Sequence, residues 1–436
     1  MTRTAEQTTM RKVYLRLLPF SVLCMFVCYL DRVNVGFAAL TMNKDLGLSA
    51  YFFGLGAGAF YGGYCLFEVP SNLVLERVGA RFWIARIMIT WGLLAGAMAL
   101  VSGPISFVGL RFLLGAAEAG FFPGILFYFH YWFPMRHRGR MISFFTVATP
   151  ISVAFGGPIS TALLGLDGIL GLAGWQWVYL VEATPAVILG LVVLVFLRDR
   201  PTHASWLTPE EQEWLTTELL RERRELEAIR TYTLFQSLTD IRVLALAVIY
   251  FGIVTASVGL VIFVPQIIKE LGVSNLQTGF LTMIPYVVGT ISMIAWGYVS
   301  DRMQERRWNL FIGCLVGAVG LIAAGLLGGS FWSLMAMCLA TIGFYGSKGP
   351  FWPLPSTFLT GTAAAAGMAL INSVGNVGGF LGPFVVGWIK DSTGSFANGL
   401  YALAGFMLLA AVVTVVGVQA PHRRIAPVAL QATPAG

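Results

Sequence analysis

Charge is what this sequence has least of. Only 11% of its 436 residues are Asp, Glu, Lys or Arg, against roughly 25% in soluble globular proteins. With 57% hydrophobic residues and a mean hydropathy of +0.77, the folded chain would expose too much apolar surface to stay dissolved in water. A water-soluble enzyme is therefore excluded, and the bilayer is the expected solvent. Histidine and cysteine are scarce too. His130, His137, His203 and His422 fall at or beyond helix ends, so the spans lack the nucleophile–base sets or metal ligands of a membrane enzyme. Cys24, Cys28, Cys65, Cys314 and Cys338 sit in apolar runs with no Cys-x-x-Cys spacing, and read as small core residues. No metal or cofactor site is expected. A cleavable leader is not expected either, since the chain is polar up to Arg16 and the first apolar run lacks a small-residue cleavage site.

What is present is a series of apolar runs, each near the roughly 20 residues that a spanning helix needs. Six fall at 17–40, 51–75, 82–102, 105–132, 140–166 and 175–197. Six more fall at 242–268, 276–299, 308–328, 331–358, 363–389 and 397–419. The expectation is an all-α membrane protein of twelve spans: a six-helix bundle over 1–197, a polar connector over 198–240 and a second bundle over 241–436. The 50 glycines suit close packing of membrane helices.

Placing the N-terminus in the cytoplasm puts 22 of the 28 Lys and Arg on that side. Three, Lys44, Lys269 and Lys390, lie outside, and three, Arg32, Arg111 and Lys348, within spans. The same asymmetry explains the net charge of +7 without nucleic acid. In the connector, Thr208-Pro209-Glu210-Glu211 starts a helix expected to run to about Ile229, its charges read as a solvated surface. The halves also repeat. At a constant offset, Glu76, Arg77, Arg81 and Trp83 match Asp301, Arg302, Arg306 and Trp308 in the equivalent loop of each half. Duplicated halves around a central site are a recurrent transporter plan.

Ionisable side chains within a membrane cost at least ~2.5–3.5 kcal/mol on insertion scales, so each needs a partner or a wet cavity. At 1.5 Å per residue, Asp31 lies ~21 Å from the cytoplasmic face and Arg111 ~9 Å from the outer one. In a core ~30 Å thick these depths coincide, and the two are expected to be able to pair. Glu118 lies two turns beyond Arg111 on the same face. A half-desolvated carboxylate there takes its charge from the cation or proton beside it, which suits a proton-coupling group; a fixed ion pair is the alternative. Lys348 sits in Gly346-Ser347-Lys348-Gly349-Pro350, expected to break its helix, where it either meets an anionic substrate or reaches the inner interface. Glu68, expected to pair with a loop Arg, and Glu182 read as structural. Asn372 and Asn376 share a helix face. With Tyr64 and Gln266 they either bind substrate or join helices.

These residues resemble the major facilitator superfamily. The Glu76-Arg77-x-Gly79-x-Arg81 loop is similar to its 2–3 loop motif, with Glu for the usual Asp and Asn72 for the usual Gly; Gly156-Gly157-Pro158 is similar to its fifth-helix motif. A narrower resemblance is to the anion:cation symporter family. It rests on Tyr29-Leu30-Asp31-Arg32-Val33-Asn34, Phe67-Glu68-Val69-Pro70-Ser71-Asn72, Arg111-Phe112-Leu113-Leu114-Gly115, Glu118-Ala119-Gly120 and Gly174-Trp175-Gln176-Trp177. In the second half it rests on Pro265-Gln266, Gly349-Pro350-Phe351-Trp352 and Asn372 to Asn376. The resemblance implies proton-driven uptake of organic anions such as tartrate, phthalate, hydroxyphenylacetate, sugar acids or nicotinate. The run Phe67 to Arg86 resembles the tartrate, phthalate and hydroxyphenylacetate branch more than the sugar-acid branch. It further implies substrate contacts from Arg32, Arg111, Tyr64, Asn372 or Asn376, and proton coupling through Asp31 and Glu118. Lys348 and Gln266 join the candidate substrate contacts on position alone. Glu76, Arg77, Arg81, Asp301, Arg302 and Arg306 are expected to gate the cytoplasmic side.

Overall fold

The computed structural model describes residues 3–228, 239–303, 305–355 and 361–418. The first bundle runs α1 (Arg3–Asp45), α2 (Ala50–Val78), α3 (Ala80–Ala97), α4 (Pro104–Glu118), α5 (Phe121–His130), α6 (Met135–Leu164) and α7 (Gly174–Phe196). The connector holds α8 (Pro209–Ala228). The second bundle runs α9 (Ile241–Lys269), α10 (Asn275–Met303), α11 (Arg307–Leu326), α12 (Phe331–Phe351), α13 (Gly361–Thr393) and α14 (Phe396–Gly417). No strand occurs among the described residues. Among the described residues, ten segments are long and apolar enough to cross a membrane, α4 and α5 counting as one. The 29-residue α2 and 21-residue α12 complete the twelve. Arg423 and Arg424 fall outside the described residues, as does Ile229, the expected end of α8.

Local chemistry sets many helix ends. Ser49 accepts the Phe52 N–H at 3.3 Å and starts α2. Gly79 ends α2 at φ +99°, a backbone that favours glycine. There the Asp199 carboxylate accepts the Arg81 N–H at 2.9 Å, a negative charge at the positive end of α3. Asp240 starts α9 by accepting the Arg242 N–H at 2.8 Å. The bonds from Arg242 hold its carboxyl below the usual range.

Two sequence expectations need correction here. Gly346-Ser347-Lys348-Gly349-Pro350 does not break its helix; α12 runs through to Phe351. The glycines serve packing instead: a methyl on Gly346 would lie 2.9 Å from the Trp296 ring, and one on Gly349 would lie 2.9 Å from Gly297. Close neighbours hold the helix where propensity would not. The real interruption is at Ala119-Gly120, between α4 and α5, with Gly120 at φ +88°. The second correction concerns α8, which is not a solvated rod. Lys12 meets Glu211 at 2.8 Å, Arg136 meets Glu218 at 3.7 Å and Arg138 meets Glu222 at 3.6 Å, while Leu215 is fully buried. Burial opposes ionisation of Glu211, but Lys12 and the start of the helix at Thr208 outweigh it and hold the carboxyl below its ordinary range.

Call the end of the molecule where α1 starts the basic end, and the other the far end. The close backbone approaches between bundles gather toward the far end. A methyl on Gly54 would lie 2.3 Å from the Pro383 carbonyl, on Gly58 2.6 Å from that of Phe380, and on Gly387 2.2 Å from that of Ala50. These join α2 to α13. Gly157 and Gly279 join α6 to α10, and Gly36 meets the Ile262 carbonyl of α9. Asp391 finishes the seam by accepting the N–H groups of Ala50 and Tyr51 at 3.0 and 2.9 Å.

Candidate functional site

The break between α4 and α5 decides where the site lies. Irregular backbone at membrane depth is tolerated where protein buries it or a cavity meets it. Gly120 is required twice, by its positive φ and because a methyl there would lie 2.4 Å from Ser71 Oγ of α2. Glu118 is the last residue of α4 and so stands at the break.

Around it the first bundle collects its buried charges. Asp31 is 2% exposed, and Arg111 and Glu118 are each 1% exposed. Arg32 Nε donates to Glu118 Oε1 at 2.6 Å, and Cys28 Sγ donates to the same oxygen at 3.1 Å. Asp31 accepts the Trp91 indole N–H at 2.7 Å and lies within electrostatic reach of Glu118 and Arg111. The pair expected from depth, Asp31 with Arg111, is therefore replaced by Arg32 with Glu118. Rise per residue gives depth but not direction around the helix axis, and the two arginines differ in direction.

Among the described residues Arg111 makes no ion pair; its Nε and Nη1 lack hydrogen-bond partners, as does Arg32 Nη2. The guanidiniums of Arg32 and Arg111 lie 5.4 and 4.9 Å from the ring centre of Phe60, and Arg32 also lies 4.9 Å from those of Tyr29 and Tyr64. Cation–ring contacts of this kind contribute about 0.5–2 kcal/mol each, so aromatics replace part of the lost hydration. They leave Nε and Nη1 of Arg111 without acceptors.

The second bundle contributes neutral donors and one cation. Asn372 and Asn376 donate to Glu68 Oε1 and Oε2, each at 3.1 Å. Glu68 thus takes its partners from α13 and not from a loop arginine. Lys348 lies 4.7 Å over Tyr345, whose ring is within electrostatic reach of Tyr29 and Tyr61 across the bundle interface. Gln266 is half-buried toward the far end, its Nε2 without a partner. Glu182 accepts from Ser160 at 2.7 Å. Of the gating candidates, Glu76, Arg77 and Arg302 are exposed, and Arg81 and Arg306 are half-buried. The Asp301 side chain falls outside the described residues.

Sequence reasoning missed Cys28, Phe60 and Trp91. Trp91 carried a signal: tryptophan favours membrane interfaces, so one in the middle of α3 asks for a buried acceptor.

Twelve membrane-length segments around a buried ionic cluster define an integral membrane transporter of the secondary type. The family model described as "Major Facilitator Superfamily" matches residues 21–383, and the chain belongs to that superfamily. A protein of Agrobacterium vitis named "Putative tartrate transporter" is 52% identical over 416 residues, covering 95% of this chain and 96% of that one. An Acinetobacter baumannii protein named "Quinolone resistance transporter" is 44% identical over 410 residues, covering 94% of each. Among solved structures, a bacterial homologue of the human lysosomal transporter Spinster superposes with a TM-score of 0.77 at 17% identity, covering 93% of this chain and 97% of that one.

Proposed function

We propose that this chain imports a small organic carboxylate together with protons by alternating access. Residues 1–197 and 241–436 move as two bundles, joined by 198–240. The observation that carries the reading is Arg111: a buried guanidinium with unused donors beside an Arg32–Glu118 pair. Buried guanidinium donors without hydrogen-bond partners are costly in a membrane, and a substrate carboxylate would offset that cost through charge-assisted bonds. Asp31 and Glu118 are the proton carriers in this scheme. A proton on Glu118 frees Arg32 for the anion, so substrate and proton load together.

The 52% identity to a protein named for tartrate supports tartrate as the first substrate to try. The far-end glycine seam and the exposed Glu76 and Arg77 support a state closed at the far end and open at the basic end. With the basic end in the cytoplasm, that state faces inward, and the loops at Glu76–Arg81 and Asp301–Arg306 latch that side only when it closes. The setting is the inner membrane of a bacterium, with both termini cytoplasmic and a monomer sufficient for transport.

Uptake of radiolabelled tartrate, phthalate and hydroxyphenylacetate into proteoliposomes tests the proposal. An inward pH gradient should raise the initial rate for at least one of them; uptake indifferent to the gradient rejects proton coupling. Proton-driven export is the second reading, favoured by the 44% identity to a protein named for quinolone resistance. Quinolones also carry a carboxylate, so the site chemistry suits either direction. Lower intracellular quinolone on expression, without acid uptake, would select export.

A further inference from the structure

Glu68 is buried, 7% exposed, on a helix surface where most carboxylates would seek an arginine. Each of its oxygens is instead taken by an amide of the opposite bundle, Oε1 by Asn372 and Oε2 by Asn376, both at 3.1 Å. Those amides stand one turn apart on α13 and converge on a single carboxylate. The cation within electrostatic reach of Glu68 is Arg32 of α1. Two neutral donors and a guanidinium around one carboxylate are what a carboxylate ligand would need. A side chain of the protein fills that place.

We infer that Glu68 is an internal competitor for the substrate: it occupies a carboxylate subsite formed by Asn372 and Asn376, and an incoming acid displaces it. The inference rests on the reading of the chain as an organic-acid carrier. Displacement has a mechanical result, because the same two bonds tie α2 to α13. Binding exchanges a tie between bundles for a tie to substrate, so occupancy of the site and freedom of the bundles to move are linked. Self-occupation also sets affinity. When only a fraction of molecules have the subsite free, apparent affinity falls by that fraction.

The test is calorimetric titration of the purified full-length carrier with L-tartrate at one fixed pH. Glu68→Gln keeps the size and one acceptor but removes the competing anion. It should bind tartrate more tightly, by about 3- to 10-fold. Adding Asn372→Ala and Asn376→Ala should erase that gain. Unchanged or weaker binding in Glu68→Gln overturns the inference while leaving the transport reading intact. Failure of the wild type to bind tartrate, phthalate or hydroxyphenylacetate overturns both. A second measurement keeps Glu68 in place. Cys65 Sγ lies 3.9 Å from the Ser373 carbonyl across the same seam, so Ser373→Cys offers a cross-link to Cys65. Tartrate should slow cross-linking by loosening the tie, and a rate insensitive to tartrate overturns the inference.

Discussion

The two bundles share an architecture and divide the chemistry. The first buries Asp31, Glu68, Arg111, Glu118 and Glu182. Among the described residues, the fully buried polar groups of the second are neutral, such as Thr255, Thr278, Thr341 and Ser347. Its one in-span cation, Lys348, is half-buried over a tyrosine. The first bundle also breaks a helix at its charges, whereas α12 runs unbroken through its glycines and Pro350. Duplication therefore fixes the scaffold without fixing where charge is placed. Under the proposed alternating access, concentrating ionisable groups in one bundle would keep their short-range contacts intact while the other bundle moves against it.

The sharpest way to break this contrast is Glu118→Gln. Gradient-driven uptake should fall to background while exchange of substrate across the membrane survives, measured as counterflow in liposomes. Full coupled uptake would move the coupling group elsewhere. Glu118→Ala should also destabilise the protein, by about 3–5 kcal/mol if the stranded Arg32 behaves as a broken buried pair.

Next in size is Gly120→Ala. Its left-handed backbone alone costs about 1–2 kcal/mol, before the contact with Ser71. Gly405→Ala in α14, with open space around it, should change little. Thermal unfolding in detergent compares them, and equal midpoints would show the α4–α5 break to be slack.

Lys348→Gln tests the one in-span cation of the second bundle. It should raise the half-saturation concentration for acid about tenfold, the size of a 1.4 kcal/mol loss, with Lys348→Arg close to wild type. No change in affinity would leave the positive charge of the site wholly to the first bundle.

The smallest effect is expected at α8. Lys12→Ala removes a partly exposed ion pair and should cost at most about 1 kcal/mol, read as faster proteolysis of the connector. Since Glu211 is held below its ordinary range, its contribution is complete above about pH 5 and is lost as the pH falls through that lowered range.

Much of this was legible in the sequence, for reasons that differ by residue. The spans were legible because bilayer thickness fixes a length and an apolarity. Asp31, Arg32, Arg111 and Glu118 stood out because charge in a membrane is expensive, and their depths could be computed from a constant rise. Their partners were not legible. Choosing Glu118 over Asp31 for an arginine depends on the azimuth of each side chain and on a helix break that only Gly120 hints at. Asn372 and Asn376 were placed on one face correctly, but Glu68 opposite them lies some 300 residues away, beyond any local pattern. At Gly346-Ser347-Lys348-Gly349-Pro350 local propensity pointed the wrong way, because glycines that weaken a helix in water tighten its packing against Trp296 and Gly297. The ion pairs of α8 were hidden for a related reason: opposite charges on separate segments look the same whether they meet or face water.

The seam at Gly54, Gly58 and Gly387 leaves no room for even a single added carbon. Under the proposed alternating access, bulk introduced there should act as a wedge and prop that end of the protein ajar. Gly58→Leu is thus a simple route to trapping the opposite posture for crystallography, or for raising antibodies that recognise one posture and not the other.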